Sequence, residues 1–266
     1  MKNSSKKAFF FDFDGTLWFG KYGEKTLEGL KKLHSDGHLL FYNSGRSKGH
    51  THHDKLAVIP FDGFLYGGNH AEIFGETVYR NDLSRDLIEV ITHTEKDFNL
   101  DILYEGVISS YKHTNFPFKC HGIEFDDTSE ILNVEKYPVT KFCIFKKWIT
   151  DEKSGLKSYF PLDEKANAIL SEYFHVIDLD FYYECILKNT GKDFIVKKTL
   201  EFLKMDIEDC YFFGDSLNDL SVFKIGGTNV AIAHSPSELK KFANFITTEE
   251  ENGVYESLLY YGFIKE

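Results

Sequence analysis

Short runs of consecutive apolar residues recur along this chain, and each run ends at a glycine or a small polar residue. The runs are KAFFFD (7–12), HLLFYN (38–43), DGFLYG (62–67), CYFFG (210–214) and NVAIA (229–233). Strands that are buried on both faces of a parallel sheet have this continuous apolar pattern. Helical spacing of leucine and isoleucine lies between the runs, at residues 26–36 and 193–204. This alternation of strands and helices predicts an open α/β sheet.

Polar residues follow several of these predicted strands. Asp12, Ser44 and Asp215 each stand where an apolar run ends. Ligands of open α/β sheets bind beyond the carboxyl ends of the strands, so these three side chains are predicted to converge at one edge. Asp14 adds a second acid two residues after Asp12. A buried carboxylate is costly without a partner, so the strand either ends here in a solvated turn or carries both acids to a site that needs them.

The middle of the chain has a different pattern. A hairpin is predicted over 71–79, around Gly75-Glu76, and a capping-box motif at 235–238 predicts a helix start later in the chain. Between them lie helical patterns and strand-like runs. These are a helix at 84–98, strand-like runs at 101–112 and 141–145, a helix at 163–174 and a strand at 175–186. We therefore predict an inserted α/β domain at 84–183 and a core formed by 1–83 and 184–266.

Composition excludes some classes of function. The net charge of −11 argues against nucleic acid or an anionic membrane as the main partner. The four cysteines lie far apart without a CxxC pair, and we find no apolar signal segment or membrane span. We expect a cytoplasmic protein with reduced thiols that is a monomer or a weak homo-oligomer.

Four polar motifs follow one another in a fixed order. They are DFDGTL from Asp12, SGR from Ser44, GK ending at Lys192, and GDSLND containing Asp215. Each alone is typical of a turn, a surface lysine or a helix cap. Together they resemble the motifs of the haloacid dehalogenase (HAD) superfamily. The large insertion, FDGFLYGGNHA (61–71) and the segment 229–247 resemble its Cof-like sugar phosphatases.

The resemblance covers roughly residues 7–80 and 184–262 and implies both a fold and a function. The fold would be a doubly wound, mainly parallel, Rossmann-like core sheet with an inserted α/β cap that determines substrate specificity. The function would be a Mg²⁺-dependent phosphatase acting on a small-molecule phosphate ester. Asp12 would attack phosphorus and form an aspartyl phosphate, which splits a slow hydrolysis into two easier steps. Asp14 would protonate the leaving oxygen and then deprotonate water.

The resemblance also implies roles for the neighbouring residues. Mg²⁺ would be held by Asp12, the backbone carbonyl of Asp14 and Asp215, because this ion prefers oxygen ligands. The remaining groups would bind phosphate or support those that do. Ser44, Lys192 and the amides of Asp14, Gly15 and Gly45 would bind the phosphoryl oxygens, Asn218 and Asp219 would hold water or orient Lys192, and Thr16 would fix the DGT turn. Arg46 would contact the substrate or pair with a core acid, and the sequence leaves both open.

Alternatives remain at this point. A phosphohexomutase-like phosphoryl transfer and a catalytically silent HAD-like binding protein both fit the fold. The histidines at 50, 52 and 53 are predicted to be surface helix residues rather than a metal site, and the same holds for Cys120-His121. His234 stands where the family usually has asparagine, and it either faces the site or simply occupies a loop.

Overall fold

The computed structural model describes residues 6–151 and 155–265. The chain forms two compact units, each assembled from separate stretches of sequence. The first unit comprises Met1–Gly45, His52–Arg80 and Gly191–Glu266, and the second comprises Arg46–Thr51 and Asn81–Thr190. Within the described residues, no helix is both long enough and apolar enough to cross a membrane.

The first unit is built on an eight-stranded sheet. Its strands are β1 (Ala8–Phe11), β2 (Leu39–Ser44), β3 (Gly63–Tyr66), β4 (His70–Ile73), β5 (Glu76–Arg80), β14 (Cys210–Gly214), β15 (Thr228–Ala231) and β16 (Phe245–Ile246). The spatial order is β16-β15-β14-β1-β2-β3-β4-β5. Neighbours from β16 to β3 are parallel, whereas β4 and β5 run antiparallel. The predicted mainly parallel sheet is therefore confirmed.

Helices cover both faces of this sheet, because its central strands are apolar on both sides. They are α1 (Glu24–Ser35), α2 (His53–Leu56), α5 (Lys192–Leu203), α6 (Leu220–Phe223), α7 (Ser237–Lys240) and α8 (Gly253–Tyr260). Phe9 and Phe11 of β1 share one buried cluster with Leu30 of α1 and Leu258 of α8. Phe10 belongs to the opposite cluster with Val196 of α5 and Leu239 of α7. This arrangement is the doubly wound core.

Two local predictions in the first unit need correction. The hairpin turn lies at Phe74-Gly75, one residue earlier than predicted, and both residues have positive φ (51° and 84°). The capping box at 235–238 does not form, and α7 begins after Pro236 without a side-chain cap. Ser235 is buried, and its hydroxyl lies 3.5 Å from the Gly214 carbonyl oxygen of β14 instead of over the helix end.

The second unit contains a six-stranded sheet in the order β12-β13-β9-β6-β7-β8, and a separate hairpin. The sheet strands are β6 (Asp101–Gly106), β7 (Ser110–His113), β8 (Ile123–Phe125), β9 (Val139–Phe145), β12 (Phe174–Asp178) and β13 (Tyr182–Leu187), and the hairpin strands are β10 (Trp148–Thr150) and β11 (Lys157–Tyr159). Helices α3 (Arg85–Phe98) and α4 (Glu164–Ser171) pack on one face, with Ile88 and Leu170 meeting Tyr104 and Phe142 in a buried cluster.

The helix starts predicted in the second unit are confirmed by their caps. The Ser84 hydroxyl accepts a hydrogen bond from the Leu87 amide, and the Asp163 carboxylate accepts one from the Ala166 amide. The strand predicted at 175–186 is instead a hairpin of β12 and β13, which pair antiparallel. The chain turns at 179–181, where the Leu179 amide donates to the Tyr182 carbonyl at 3.0 Å.

Residues Arg46–Thr51, which we call the strap, belong to the second unit although they directly follow β2. The Ser47 amide donates to Glu105 Oε2 at 3.1 Å, and His50 Nδ1 lies 2.9 Å from the Ser110 hydroxyl. Gly49 packs so closely that a Cβ there would lie 2.4 Å from the Ser109 nitrogen. The compact units place this segment, and residues 81–83 and 184–190, in the second unit, whereas the sequence predicted all of them in the core.

Candidate active site

The loops that follow β1, β2 and β14 meet at one edge of the first unit's sheet. The strands are adjacent and parallel, so their carboxyl ends lie side by side. Asp12 is the residue after β1, Ser44 ends β2, and Asp215 is the residue after β14. The predicted convergence of strand ends is present, and it brings acidic side chains from loops distant in sequence into contact range.

Lys192 joins these loops. It is the first residue of α5 and is buried, and its Nζ donates to Asp12 Oδ1 at 2.6 Å and to Asp219 Oδ1 at 2.6 Å. A third bond of 3.1 Å reaches Asn218 Oδ1, which also accepts from the Ser216 hydroxyl at 2.9 Å. The contacts of Asn218 and Asp219 are those expected of residues that orient Lys192.

The start of α5 is fixed by a close backbone approach that sequence reasoning missed. The Gly191 amide donates to the Gly68 carbonyl at 3.0 Å. A Cβ on Gly68 would lie 2.4 Å from the Gly191 Cα, and Gly68 has φ of +74°. Both observations require glycine at position 68. The paired glycines in FLYGGNHA were the available signal.

The pKa values in this cluster follow from burial and from mutual charge. Burial by itself lowers the pKa of Lys192, but the Asp12 and Asp219 carboxylates raise it above its ordinary value. Burial raises the pKa of Asp12, and the carboxylates of Asp219 and Asp215 raise it further, while Lys192 acts in the opposite direction. Asp215 also has a raised pKa, first through burial and then through Asp219. The carboxylates are therefore under-compensated by protein charge.

This donor set fits a divalent cation. One oxygen from each of Asp12, Asp215 and Asp219 lies within 4.8 Å of the others. Three carboxylates and the Lys192 ammonium sum to −3 + 1 = −2, the charge that a divalent ion neutralises. Asp219 is already engaged, since its Oδ2 accepts from the amides of Asp215 and Ser216 at 3.1 and 3.2 Å. Its contacts are those of a supporting group.

The DGT turn packs against Asp215. Asp14 is exposed, Phe13 before it is buried as predicted, and Gly15 has φ of +82°. A Cβ on Gly15 would lie 2.5 Å from Asp215 Oδ2, so both the backbone and the space demand glycine. The Thr16 hydroxyl donates to Asp215 Oδ1 at 2.9 Å, so its side chain holds Asp215 in addition to any role within the turn.

The SGR motif is divided between the two units. Ser44 is buried and its carbonyl accepts from the Gly67 amide at 2.9 Å, while Gly45 after it is half-buried. Arg46 is the first residue of the strap and belongs to the second unit. The role of Arg46 stays a prediction.

Three of the histidines considered in the sequence contact different parts of the molecule. His234 lies at the site, with Nε2 3.3 Å from Asp215 Oδ2. Its Nδ1 lies 3.6 Å from Glu250 Oε1. His50 is held within the strap's contacts, and the His53 ring packs on Tyr66 with centroids 6.0 Å apart. Of the two possibilities left open by the sequence, His234 therefore faces the site.

Known proteins resemble this chain over nearly its whole length. The family model for haloacid dehalogenase-like hydrolases matches residues 9–258. YkrA of Bacillus subtilis (strain 168) is 25% identical over 276 aligned positions, covering 97% of this chain and 99% of that protein. HMP-PP phosphatase of Escherichia coli O81 (strain ED1a) is 24% identical and covers 86% of this chain and 85% of its own.

Two solved structures share the fold. BT1666 from Bacteroides thetaiotaomicron, described among phosphatases of the haloalkanoate superfamily, superposes with a TM-score of 0.81 at 18% identity, covering 99% of this chain and 98% of that chain. BT4131, described as a HAD subclass IIB sugar phosphatase, has a TM-score of 0.77 at 17% identity and covers 97% and 100%.

Proposed function

Because the chain belongs to the haloacid dehalogenase-like hydrolases, as a phosphatase of their Cof-like branch, we propose that it hydrolyses small phosphorylated metabolites with Mg²⁺, sugar phosphates foremost, through an aspartyl phosphate. One observation carries the proposal. The buried Lys192 ammonium bridges Asp12 and Asp219, beside Asp215, at the carboxyl edge of a parallel sheet. That edge is where ligands of such sheets bind.

Asp12 is the proposed nucleophile. Its carboxylate oxygen forms a bond to phosphorus as the bond from phosphorus to the ester oxygen breaks. Asp14, which is exposed two residues later, gives its proton to that leaving oxygen. Asp14 then takes a proton from the water that cleaves the aspartyl phosphate and returns Asp12. The electron pair of each broken bond stays on the departing oxygen.

Lys192 and Ser44 are proposed to bind the phosphoryl oxygens, with the amides of Asp14, Gly15 and Gly45. Fixed donors of this kind stabilise the charge that develops in the transition state. Lys192 also opposes the rise in the Asp12 pKa, which favours the ionised form that attacks. Asn218 and Asp219 keep the ammonium in place through bonds of 3.1 and 2.6 Å.

Asp12, the Asp14 carbonyl and Asp215 would hold Mg²⁺, with Asp219 and Thr16 as supports. When bound, the ion would offset part of the negative charge that the carboxylates and the phosphate dianion bring together. The charge of −2 on the cluster and its all-oxygen donors match this ion.

Two observations support the proposed substrate class. One relative is named HMP-PP phosphatase, and BT4131 is described as a sugar phosphatase. The first-unit motifs engage only the phosphoryl group, so we propose that the second unit, as the cap, selects the leaving group. Replacing Asn81–Thr190 with a short Gly-Ser bridge should abolish discrimination among sugar phosphates while some p-nitrophenyl phosphate hydrolysis survives. A folded truncation that keeps the parent's substrate ranking would contradict this selection role.

The central experiment measures inorganic phosphate released from a panel of sugar phosphates and p-nitrophenyl phosphate, with Mg²⁺, with Ca²⁺ and with chelator. Asp12→Asn should lose turnover by roughly 10⁴-fold or more, because an amide cannot act as the nucleophile. Asp54→Asn changes an exposed aspartate of the same unit, so it is the matched control and should keep the wild-type turnover. Ca²⁺ should fail to support turnover, because it takes more ligands at longer distances.

The outcomes separate the alternatives. Transfer of the phosphoryl group to a second sugar without release of phosphate would replace the hydrolase with a mutase. A folded wild type that turns over no ester in Mg²⁺ would be a binding protein. Turnover by Asp12→Asn near the wild-type rate would exclude the aspartyl phosphate.

A further inference from the structure

We infer that His234 is a positioning residue, which holds the Asp215 carboxylate in the orientation that binds the cation. The inference rests on the proposed function only in taking Asp215 as a cation ligand. His234 stands where the family usually has asparagine, so an imidazole at this contact is a feature of the present chain.

His234 Nε2 lies 3.3 Å from Asp215 Oδ2. The inference takes Asp215 as ionised, as a cation ligand is; such a carboxylate only accepts, so the Nε2–H of His234 is the donor. The other oxygen, Oδ1, accepts from the Thr16 hydroxyl at 2.9 Å. Two donors from different loops thus hold the two oxygens. A carboxylate has about four lone-pair sites, which leaves positions for a cation.

The carboxylate has little freedom to move. The oxygen that His234 contacts is the one that would clash at 2.5 Å with a Cβ on Gly15. Asp215 Oδ2 therefore lies between the Gly15 backbone and the imidazole. Only 12% of the Asp215 side chain is exposed, so its orientation is set by these neighbours and by Thr16.

Two further groups lie beside the imidazole. Glu250 Oε1 lies 3.6 Å from Nδ1, the ring nitrogen that does not face Asp215. The Phe19 ring meets His234 edge-on, with centroids 5.9 Å apart. Among the residues that the structure describes, the group with ligand atoms close enough to share an ion consists of Asp12, Asp215 and Asp219, without His234. His234 acts through Asp215 and is not a ligand.

Hydrogen-bond partners of metal ligands typically contribute 10–100-fold to metal affinity. The test measures the Kd of Mg²⁺, and of Mn²⁺ as a second probe, by titration calorimetry on the full chain without substrate. His234→Phe keeps a ring beside Phe19 but removes the donor, and we expect Kd to rise about tenfold or more. His234→Gln supplies an amide N–H and should restore Kd to within about threefold.

His93→Phe, an exposed histidine of α3, is the matched control and should bind as the wild type does. The metal-free unfolding midpoint of His234→Phe should equal that of the wild type, which excludes a general structural defect. A wild-type Kd in His234→Phe overturns the inference, and so does a Gln variant as weak as the Phe variant. A wild type that binds neither ion also overturns it. Failure of the proposed function is recognised separately, by the absence of phosphate release from a protein that still binds Mg²⁺.

Discussion

Each unit buries a lysine between two carboxylates, yet the two clusters are built differently. In the first unit, Lys192 lies between Asp12 and Asp219. In the second, Lys141 bonds to Glu184 and lies 3.9 Å from Glu105. The first cluster comes from loops at strand ends. The second comes from residues within β9 and β13 and from the next-to-last residue of β6. These residues alternate with those of the apolar cluster, so they lie on the sheet face opposite α3 and α4.

The pKa shifts separate the two clusters. Burial alone would raise the pKa of Glu105, but Lys141, His50 and the Ser47 amide hold it below its ordinary value. Asp12, with Asp219 and Asp215 close by, keeps a raised pKa despite Lys192. In the second-unit cluster, protein groups therefore offset the cost of burying the Glu105 charge. In the first-unit cluster, Lys192 does not fully offset the burial of Asp12 and the repulsion by its neighbouring carboxylates. An under-compensated cluster indicates a ligand site, and a compensated one indicates structure.

Among the variants that compare the two clusters, Lys192→Met should have the largest effect. It removes the proposed phosphate donor and the ammonium that contacts Asp12 and Asp219. We therefore expect turnover of p-nitrophenyl phosphate to fall on the order of 10²–10³-fold. Lys197→Met, on the exposed side of the same helix, is the control and should lose little. A Lys192→Met enzyme with full turnover would make both clusters structural and remove the contrast between them.

Lys141→Met should act on stability. It leaves Glu105 and Glu184 buried without their ammonium, and breaking a buried pair costs about 3–5 kcal/mol. The triple variant Glu105→Gln, Lys141→Met, Glu184→Gln removes all three charges and should recover most of that loss. Urea unfolding measures both free energies. If the triple variant is no more stable than Lys141→Met, the cluster is not the self-compensated unit that the pKa of Glu105 indicates.

The smallest effect concerns Glu95 of α3, whose carboxylate accepts from the Tyr104 hydroxyl at 2.5 Å. Burial raises the pKa of Glu95 to about 7, more than the Tyr104 bond lowers it. A group with a raised pKa stabilises the fold below its unfolded pKa and loses that contribution as pH rises through the folded value. The free energy of unfolding should therefore fall between about pH 4.5 and 7.5, by at most about 3 kcal/mol.

Urea unfolding at a series of pH values measures this change. Glu95→Gln cannot titrate and should flatten the decline. If the free energy of unfolding declines equally in Glu95→Gln, the decline comes from other titrating groups and the pKa of Glu95 is not raised by burial.

The sequence predicted the first cluster far better than the second, for a physical reason. Asp12 and Asp215 follow continuous apolar runs, so their location at strand ends is visible locally. Glu105 and Lys141 alternate with apolar residues inside strands, as any half-exposed strand does, and their burial depends on pairing across the sheet. The contact of His234 with Asp215 depends on two loops after neighbouring strands, and no local pattern encodes it.

The strap is informative about the order in which the molecule assembles. Its six residues directly follow β2, yet they contact Glu105 and Ser110, about sixty positions further along the chain. The central strand β1 pairs with β14, some two hundred residues further along the chain, and cannot form that pairing before β14 is present. The strands within Asn81–Thr190 pair across shorter stretches of chain than β1 and β14 do. This stretch should therefore fold first, since nearer contacts cost less chain entropy to close. The edge that carries Asp12, Ser44 and Asp215 can therefore form only after β14 has been synthesised and has paired with β1.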